Sequence, residues 1–386
     1  MNYAEIRILF IFHGDVDPQK SGVARVNENL AVEFMSKGAS VYAITEKDGP
    51  CFYTANYQYP NKIINSIENR EFLWDICRKH DINVAIVSSP DMPRFVYLAS
   101  CLKNKVRLVG HYHQSPKVCA SFLTHFANKR FACWKPVISL SLFFNIIRHR
   151  RYNRFLMQTV HKMVVLSPSY INEMGLLAGG YQDRCIAIAN PFPPIDIEVT
   201  SADKRNTIIY VGRINEEQKR ISLLIDIWSK VYSTLPNWKL KIVGGGSESE
   251  MKYWEKYALS KKMENYSFEG YQDPMPYYRE AKIILMTSAY EGFPMVLVEA
   301  MQYGCVPIAF NTFMALSDII EDSHNGFTIK PYRKDKYIQR ILELTSNDVN
   351  IEEFSSRAKK KSRKFETGII LPQWDGLFDE LFSMEG

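Results

Sequence analysis

Short apolar runs that end in glycine or a polar turn, each followed by a helical pattern, recur along both halves of the chain, and nothing else in it restricts the fold so strongly. In the first half the runs are residues 7–12, 40–45, 84–88, 106–110 and 163–166, with a helical pattern over 22–37. The second half restarts with strand-like 207–211, helical 221–233, strand-like 239–243, a Gly244-Gly245-Gly246 turn, helical 248–261, strand-like 266–269, a short helix 275–281 and strands 283–286 and 306–310. Alternation of this kind predicts parallel sheets with crossover helices. A chain of 386 residues exceeds one ordinary domain. The pattern breaks at Ala189-Asn190-Pro191-Phe192-Pro193-Pro194, and a polar stretch over 200–206 follows, so the linker is expected there. The expected architecture is α/β: two Rossmann-like, doubly wound parallel-sheet domains facing across a cleft. Ligands of such sheets bind at the carboxyl ends of the strands.

The chain has the apolar and charged content of a soluble globular protein, 46% and 23%. Its seven cysteines are scattered and without CxxC spacing, which points to free thiols in a reducing compartment and away from a disulfide framework or a zinc site. The N-terminal apolar run reads as a buried first strand with no cleavage pattern, and no stretch has the length to cross a bilayer; a cytoplasmic protein is expected. Charge is unevenly spread. Residues 1–190 carry a net +9 and the remainder a net −3, and residues 92–172 hold 13 Lys and Arg with no acid at all. Within that basic region, residues 129–135, 138–147 and 148–154 interleave cations with apolar and aromatic side chains. This fits a segment lying on an anionic membrane surface, and equally a buried helix with a solvated basic edge. No nucleic-acid module is present.

The richest local motif is S-A-Y-E-G-F-P-M-V-L-V-E-A-M-Q-Y-G-C-V-P, residues 288–307. It sets Glu291 in a loop and Glu299 inside the following helix, with Pro294 at the helix start and Gly304 at its end. Backbone amides at that start favour an anion or a hydroxyl-rich group. Val211-Gly212-Arg213 follows a strand, with Lys219 six residues on, a pattern that suits phosphate contacts but also an ordinary charged loop, since Glu216, Glu217 and Arg220 surround the lysine. Gly22 opens the first helix behind Ser21, either as a phosphate approach or as a simple capped entry. Its spacing is not a dinucleotide GxGxxG. His111 and His113 end another strand, and alternation puts one on each face, so at most one meets a ligand. Neither has a third ligand for zinc.

With these residues the chain resembles the retaining glycosyltransferases of family 4, the group-1 class with the GT-B fold. The resemblance is strongest over residues 207–330, where Y-V-G-R, the Lys219 loop, K-I-V-G-G-G, F-E-G-Y, E-G-F-P-M-V-L-V-E-A-M and D-I-I-E-D-S-H-N-G-F-T-I occur in family order. The first half matches through its glycine loop, His113 and Asn190-Pro191. The resemblance implies an N-terminal acceptor domain over 1–192, a nucleotide-sugar domain over 193–364, and a terminal helical segment, 365–386, that crosses back to the first. It implies a metal-independent transfer of a hexose or N-acetylhexosamine, with retention, from a nucleotide diphosphate sugar (UDP by family frequency). The acceptor would be a glycan, lipid-linked on a polyprenyl diphosphate, in capsule or O-antigen synthesis, and the enzyme would sit peripherally on the inner membrane face. Arg213 and Lys219 would hold the diphosphate, with Gly22 and Gly244 lining it. Glu299 would take the ribose. Glu291, with the backbone of Gly292, Phe293, Pro294, Met295 and Val296, would orient the sugar, which His113 touches from the other domain. No metal or other cofactor is required. Two departures stand out: Arg220 replaces the usual glycine after the lysine, and Ser21-Gly22 replaces paired glycines.

Two other readings use the same residues. A glycoside hydrolase employs two carboxylates, yet it flanks the scissile bond with them and has no use for phosphate loops. A non-catalytic nucleotide-sugar or glycan-binding protein would keep the loops and lack turnover.

Overall fold

The computed structural model describes residues 2–14, 16–18, 21–47, 52–116, 135–346 and 348–383. It divides into two compact units, Met1–Pro191 with Thr367–Gly386, and Phe192–Glu366.

The first unit is built on β1 (Arg7–Ile11), β2 (Ser40–Thr45), β3 (Ala55–Gln58), β4 (Val84–Val87), β5 (Arg107–Tyr112), β6 (Lys162–Val165) and β7 (Cys185–Ala187). They pair in parallel in the order β3-β2-β1-β4-β5-β6-β7. β4 and β6 are buried along their whole length, which is why they read as continuous apolar runs. β3 and β7 escape the sequence pattern because they are edge strands, short and only partly buried. Phe34 of the helix Gly22–Ser36 stacks edge-on against Trp374 and Phe378 of the last helix, Thr367–Ser383. Asp375 of that helix accepts hydrogen bonds from Tyr3 and from Lys37 (2.8 Å), and the Arg107 guanidinium donates to the Leu381 carbonyl (2.8 Å). Truncating the fully buried Trp374 to alanine removes a core aromatic, a loss of about 3–5 kcal/mol.

The second unit contains β8 (Arg205–Val211), β9 (Lys239–Val243), β10 (Tyr266–Gly270), β11 (Ala281–Met286), β12 (Val306–Phe310) and β13 (Phe327–Ile329). Their parallel order is β10-β9-β8-β11-β12-β13. Tyr210, Trp228 and Tyr337 are among the largest fully buried side chains of this core. The Tyr337 hydroxyl accepts from Met286 N (3.1 Å) and donates to Ile308 O (2.5 Å), so it ties the carboxyl end of β11 to the middle of β12. In both sheets the strand order reverses once, between β1 and β4 and between β8 and β11.

The proline-rich segment expected as a linker is packed. Phe192 is fully buried, its N–H donates to Phe365 O (2.9 Å), and the Gln302 amide donates to Pro193 O (2.9 Å). The Lys359 amine donates to Val199 O (2.6 Å), and Arg205 already begins β8. Proline stiffness marks the break in pattern without making it loose. Of the basic region, residues 117–134, among them Lys129, Arg130, Phe131 and Trp134, lie outside the described residues. The helix Lys135–Thr159 carries the cluster Arg148, Arg150, Arg151 and Arg154, and its last turns bury Leu156 and Met157. No helix among the described residues is long and apolar enough to cross a membrane. The four described cysteines, Cys77, Cys101, Cys185 and Cys305, are free thiols.

Candidate functional site

The loop after β8 begins with a close approach of two backbones. Gly212 and Gly244 both take positive φ (153° and 146°), and a Cβ on Gly244 would fall 1.8 Å from the Gly212 carbonyl oxygen. Only glycine allows the turns after β8 and β9 to touch in this way. The Gly212 N–H donates to Val243 O (3.0 Å) and Ile214 N–H to Gly245 O (2.9 Å), so the two loops are stitched together.

Beyond that contact the chain curls around Asn215, whose side-chain oxygen accepts from the N–H groups of Gln218 (3.1 Å) and Lys219 (3.0 Å). Arg220 then enters the helix Ile221–Val231 in the left-handed conformation, φ 51° and ψ 56°. That conformation is the physical reason a glycine suits this position. Here the arginine is held by its own contacts, a hydrogen bond to the Tyr332 hydroxyl (2.8 Å) and a guanidinium lying 4.7 Å from that ring.

The curl delivers Lys219 to the carboxyl end of β11. Its amine lies 2.6 Å from Glu291 Oε1, with both side chains almost enclosed, 12% and 10% exposed. Gln218 donates to the other Glu291 oxygen (3.3 Å) and to Tyr290 O (3.4 Å), and accepts from the Arg213 guanidinium (2.9 Å). The Ala289 N–H donates to Gln218 O (2.7 Å) and the Thr287 hydroxyl to Lys219 O (2.8 Å), which locks the two loops in register. Arg213, Lys219 and Glu291 therefore form one connected network across the switch point of the second sheet. Burial pushes the nearby Tyr210 phenol well up, and the Glu291 charge adds to it.

Pro294 caps the helix Met295–Gln302, and Gly304 leaves it at φ 81°. The first-turn amides of such a helix have no intrahelical acceptor, so those of Met295 and Val296 stand at its positive end. Glu299 sits one turn in and accepts from the Tyr278 hydroxyl (3.0 Å). Phe293 is buried with its ring against Phe365 and Phe192, 5.3 and 6.3 Å away, so its side chain packs and only its backbone is offered to a ligand.

The first unit places its predicted residues at the corresponding edge of its own sheet. Ser21 caps the helix that Gly22 opens, accepting from Ala24 N–H (3.4 Å), and a Cβ at Gly22 would meet nothing within 4 Å. The histidine alternation is corrected: β5 ends at Tyr112, His113 leaves the strand, and the two imidazoles lie 4.0 Å apart instead of on opposite faces. His111 is buried edge-on to Trp374 (5.3 Å). Both of its ring nitrogens, and His113 Nε2, are sealed from solvent without a hydrogen-bond partner among the described residues. Burial pushes His113 down to about 3, and burial with help from the neighbouring His113 also holds His111 well below the ordinary histidine value. Both rings are therefore neutral at physiological pH. Among the described residues no three His, Cys, Asp or Glu side chains converge in a metal-binding group.

Gln218, Asn215 and Tyr278 went unnoticed in the sequence. Their roles depend on contacts 21 to 73 residues away or on a side-chain turn, and neither leaves a spacing to read.

A pair of parallel, doubly wound sheets with such a network is the GT-B fold. Residues 193–365 match the family described as glycosyl transferases group 1. The amylovoran biosynthesis glycosyltransferase AmsD of Erwinia amylovora is 32% identical over 185 residues, 46% of this chain and 49% of that one. A lipopolysaccharide 1,6-galactosyltransferase of Salmonella typhimurium is 27% identical over 187 residues, 46% and 51% of the two chains. The chain thus aligns with about half the length of these curated relatives. Anabaena Alr3699/HepE, solved in complex with UDP and glucose, superposes with a TM-score of 0.75 at 15% identity over 97% of this chain and 100% of that one, a likeness of fold.

Proposed function

We propose that the protein is a retaining, metal-independent glycosyltransferase that moves a hexose or N-acetylhexosamine from a nucleotide diphosphate sugar, UDP in the first instance, to a glycan acceptor. The observation that carries this is the enclosed Lys219–Glu291 pair beside Arg213, immediately before the positive end of the helix Met295–Gln302. Two cations and a helix start suit a diphosphate, and a carboxylate beside them suits the hydroxyls of the sugar it carries. Glu299 on the next turn is the ribose contact, Gly244 and Gly22 are close backbone approaches to the donor, and His113 is a neutral partner for a sugar hydroxyl. Retention follows if the leaving phosphate itself assists the incoming hydroxyl, which asks no acid or metal of the protein. UDP in the Anabaena complex, and the polysaccharide and lipopolysaccharide roles named for the relatives, support the donor and the kind of product.

We assign the acceptor as a lipid-linked glycan of capsule or O-antigen type, with the basic region 92–172 docking on the cytoplasmic membrane face. Calorimetric titration with UDP, GDP and other nucleotides, followed by NMR of the product's anomeric centre with and without EDTA, tests the reaction. Absence of nucleotide binding sinks it, an inverted product removes retention, and loss of turnover in EDTA removes metal independence. Co-sedimentation that is no stronger with anionic than with neutral vesicles removes the docking.

A further inference from the structure

The amino ends of the strands in the second sheet, opposite the edge that carries Arg213, Lys219 and Glu291, border a cavity of about 370 Å³. That size lies in the range of small-ligand sites. Lys204 immediately precedes β8, Lys282 lies near the start of β11, and Gly304 leads into β12. The fourth wall is the helix Asp348–Ser362. Glu352, Ser355, Ser356 and Lys359 are spaced i, i+3, i+4 and i+7, so they share one helix face, and that face lines the cavity. Phe354 and Ala358 of the same helix pack inward, Phe354 with its ring 5.0 Å from that of Phe327. Gly304 lets the polar face come close: a Cβ there would fall 2.6 Å from both Lys359 Cε and Ser355 Oγ, and the Ser355 hydroxyl donates to Gly304 O (2.7 Å).

Three lysines thus face one cavity in the half of the chain that carries a net −3. Lys204 donates to Tyr278 O (3.0 Å) and Ala281 O (2.6 Å), and Lys359 to Val199 O (2.6 Å). Carbonyls orient an ammonium without neutralising it, and among the described residues neither amine has a carboxylate within ion-pair distance. Nearby Asp203 is engaged by Arg279 (2.9 Å). Burial pushes the Lys204 ammonium down from its ordinary value, the Cys305 thiol partly restores it, and the Lys359 charge lowers it again. An anion between the amines relieves that repulsion. The one acid on the lining, Glu352, is exposed and lies about 10 Å along the helix from Lys359. The cavity therefore offers cations and an acceptor of hydroxyl protons, with serine hydroxyls between them on the helix. We propose that it is a second ligand site, which binds a phosphorylated sugar or polyol with the phosphate on Lys359 and Lys282, Lys204 contributing its charge, and a hydroxyl on Glu352. The site does not depend on the transferase reading.

Calorimetric titration of the full chain with inorganic phosphate, glucose 6-phosphate and glucose tests this. Glucose 6-phosphate binds saturably, and about tenfold more tightly than either phosphate or glucose. Ser356→Asp, at an exposed position, adds an acid to the lining and weakens that binding about tenfold. Lys359→Gln, which keeps a donor for the Val199 carbonyl, has the same effect. Glu352→Gln weakens glucose 6-phosphate and leaves inorganic phosphate unchanged. Arg213→Gln, at the opposite edge of the sheet, alters none of these. Absence of saturable binding, glucose 6-phosphate held no more tightly than bare phosphate, or binding that Ser356→Asp leaves intact overturns the proposal. So does loss of binding in Arg213→Gln, which would put the anion in the donor site. A protein that binds glucose 6-phosphate in this way and no nucleotide sugar refutes the transferase reading and leaves this site standing.

Discussion

After β8 the chain presents Arg213 and Lys219, and the matching turn after β11 presents Glu291. After β1 it presents His13, and β2 and β4 contribute Glu46 and Arg94. Both sets lie at the reversal of a parallel sheet, and the difference between them is enclosure. The Lys219–Glu291 pair is about nine-tenths covered, while His13 and Glu46 remain 41% and 24% exposed. An enclosed ion pair is costly to break and strong toward a charged ligand that replaces one partner. An open one contributes little to stability. The lesson is that like positions in like sheets can hold ion pairs that differ widely in how far water is excluded.

The largest expected effect is on turnover. Glu291→Gln keeps the shape and removes the charge, and sugar transfer falls by about 10²–10³ while UDP binding persists, measured by steady-state kinetics and calorimetry. Next is stability. Lys219→Met strands a buried carboxylate and lowers the unfolding free energy by about 3 kcal/mol in urea, and Lys219→Met/Glu291→Gln regains most of that. In contrast Glu46→Gln costs less than about 1 kcal/mol; a larger loss would erase the distinction in enclosure.

The third effect is on pH. Burial depresses His111 and His113 below the free value near 6.5, so the unfolded chain takes up protons first as the solution is acidified. Their contribution is whole above about pH 6.5. It is lost as pH falls toward about 3, where His113 protonates in the folded protein, at about 1.4 kcal/mol per pH unit for each neutral ring. His113→Asn removes one of the two contributions and flattens the slope of urea stability between pH 6 and 4; an unchanged slope would mean the ring is not enclosed. The smallest effect is at Arg220. Its left-handed backbone makes Arg220→Val less stable than Arg220→Gly by about 1–2 kcal/mol, read in the same urea titrations.

Much of this was legible in residues 207–330. Gly212, Gly244 and Gly304 announce positive φ because no other residue adopts it cheaply, and Glu291, Pro294 and Glu299 follow a helix-start pattern that depends only on local geometry. The histidines were less legible. Alternation predicts opposite faces only inside a strand, and β5 stops one residue before His113. The segment 189–206 looked like a linker because proline and polar residues break a pattern, but whether Phe192 is loose or buried depends on Phe293 and Phe365, far along the chain.

The sequence by itself determined the two parallel α/β halves, the glycine turns and the carboxylate–helix motif, since each arises from periodicity or from a backbone conformation that one residue type supplies. Only the tertiary structure decided that Lys219 pairs with Glu291, that Gln218 ties Arg213 to it, and that His13 meets Glu46. Those partners are 72, 73 and 33 positions apart in the chain, and strand order in the folded sheets, not spacing, makes them neighbours.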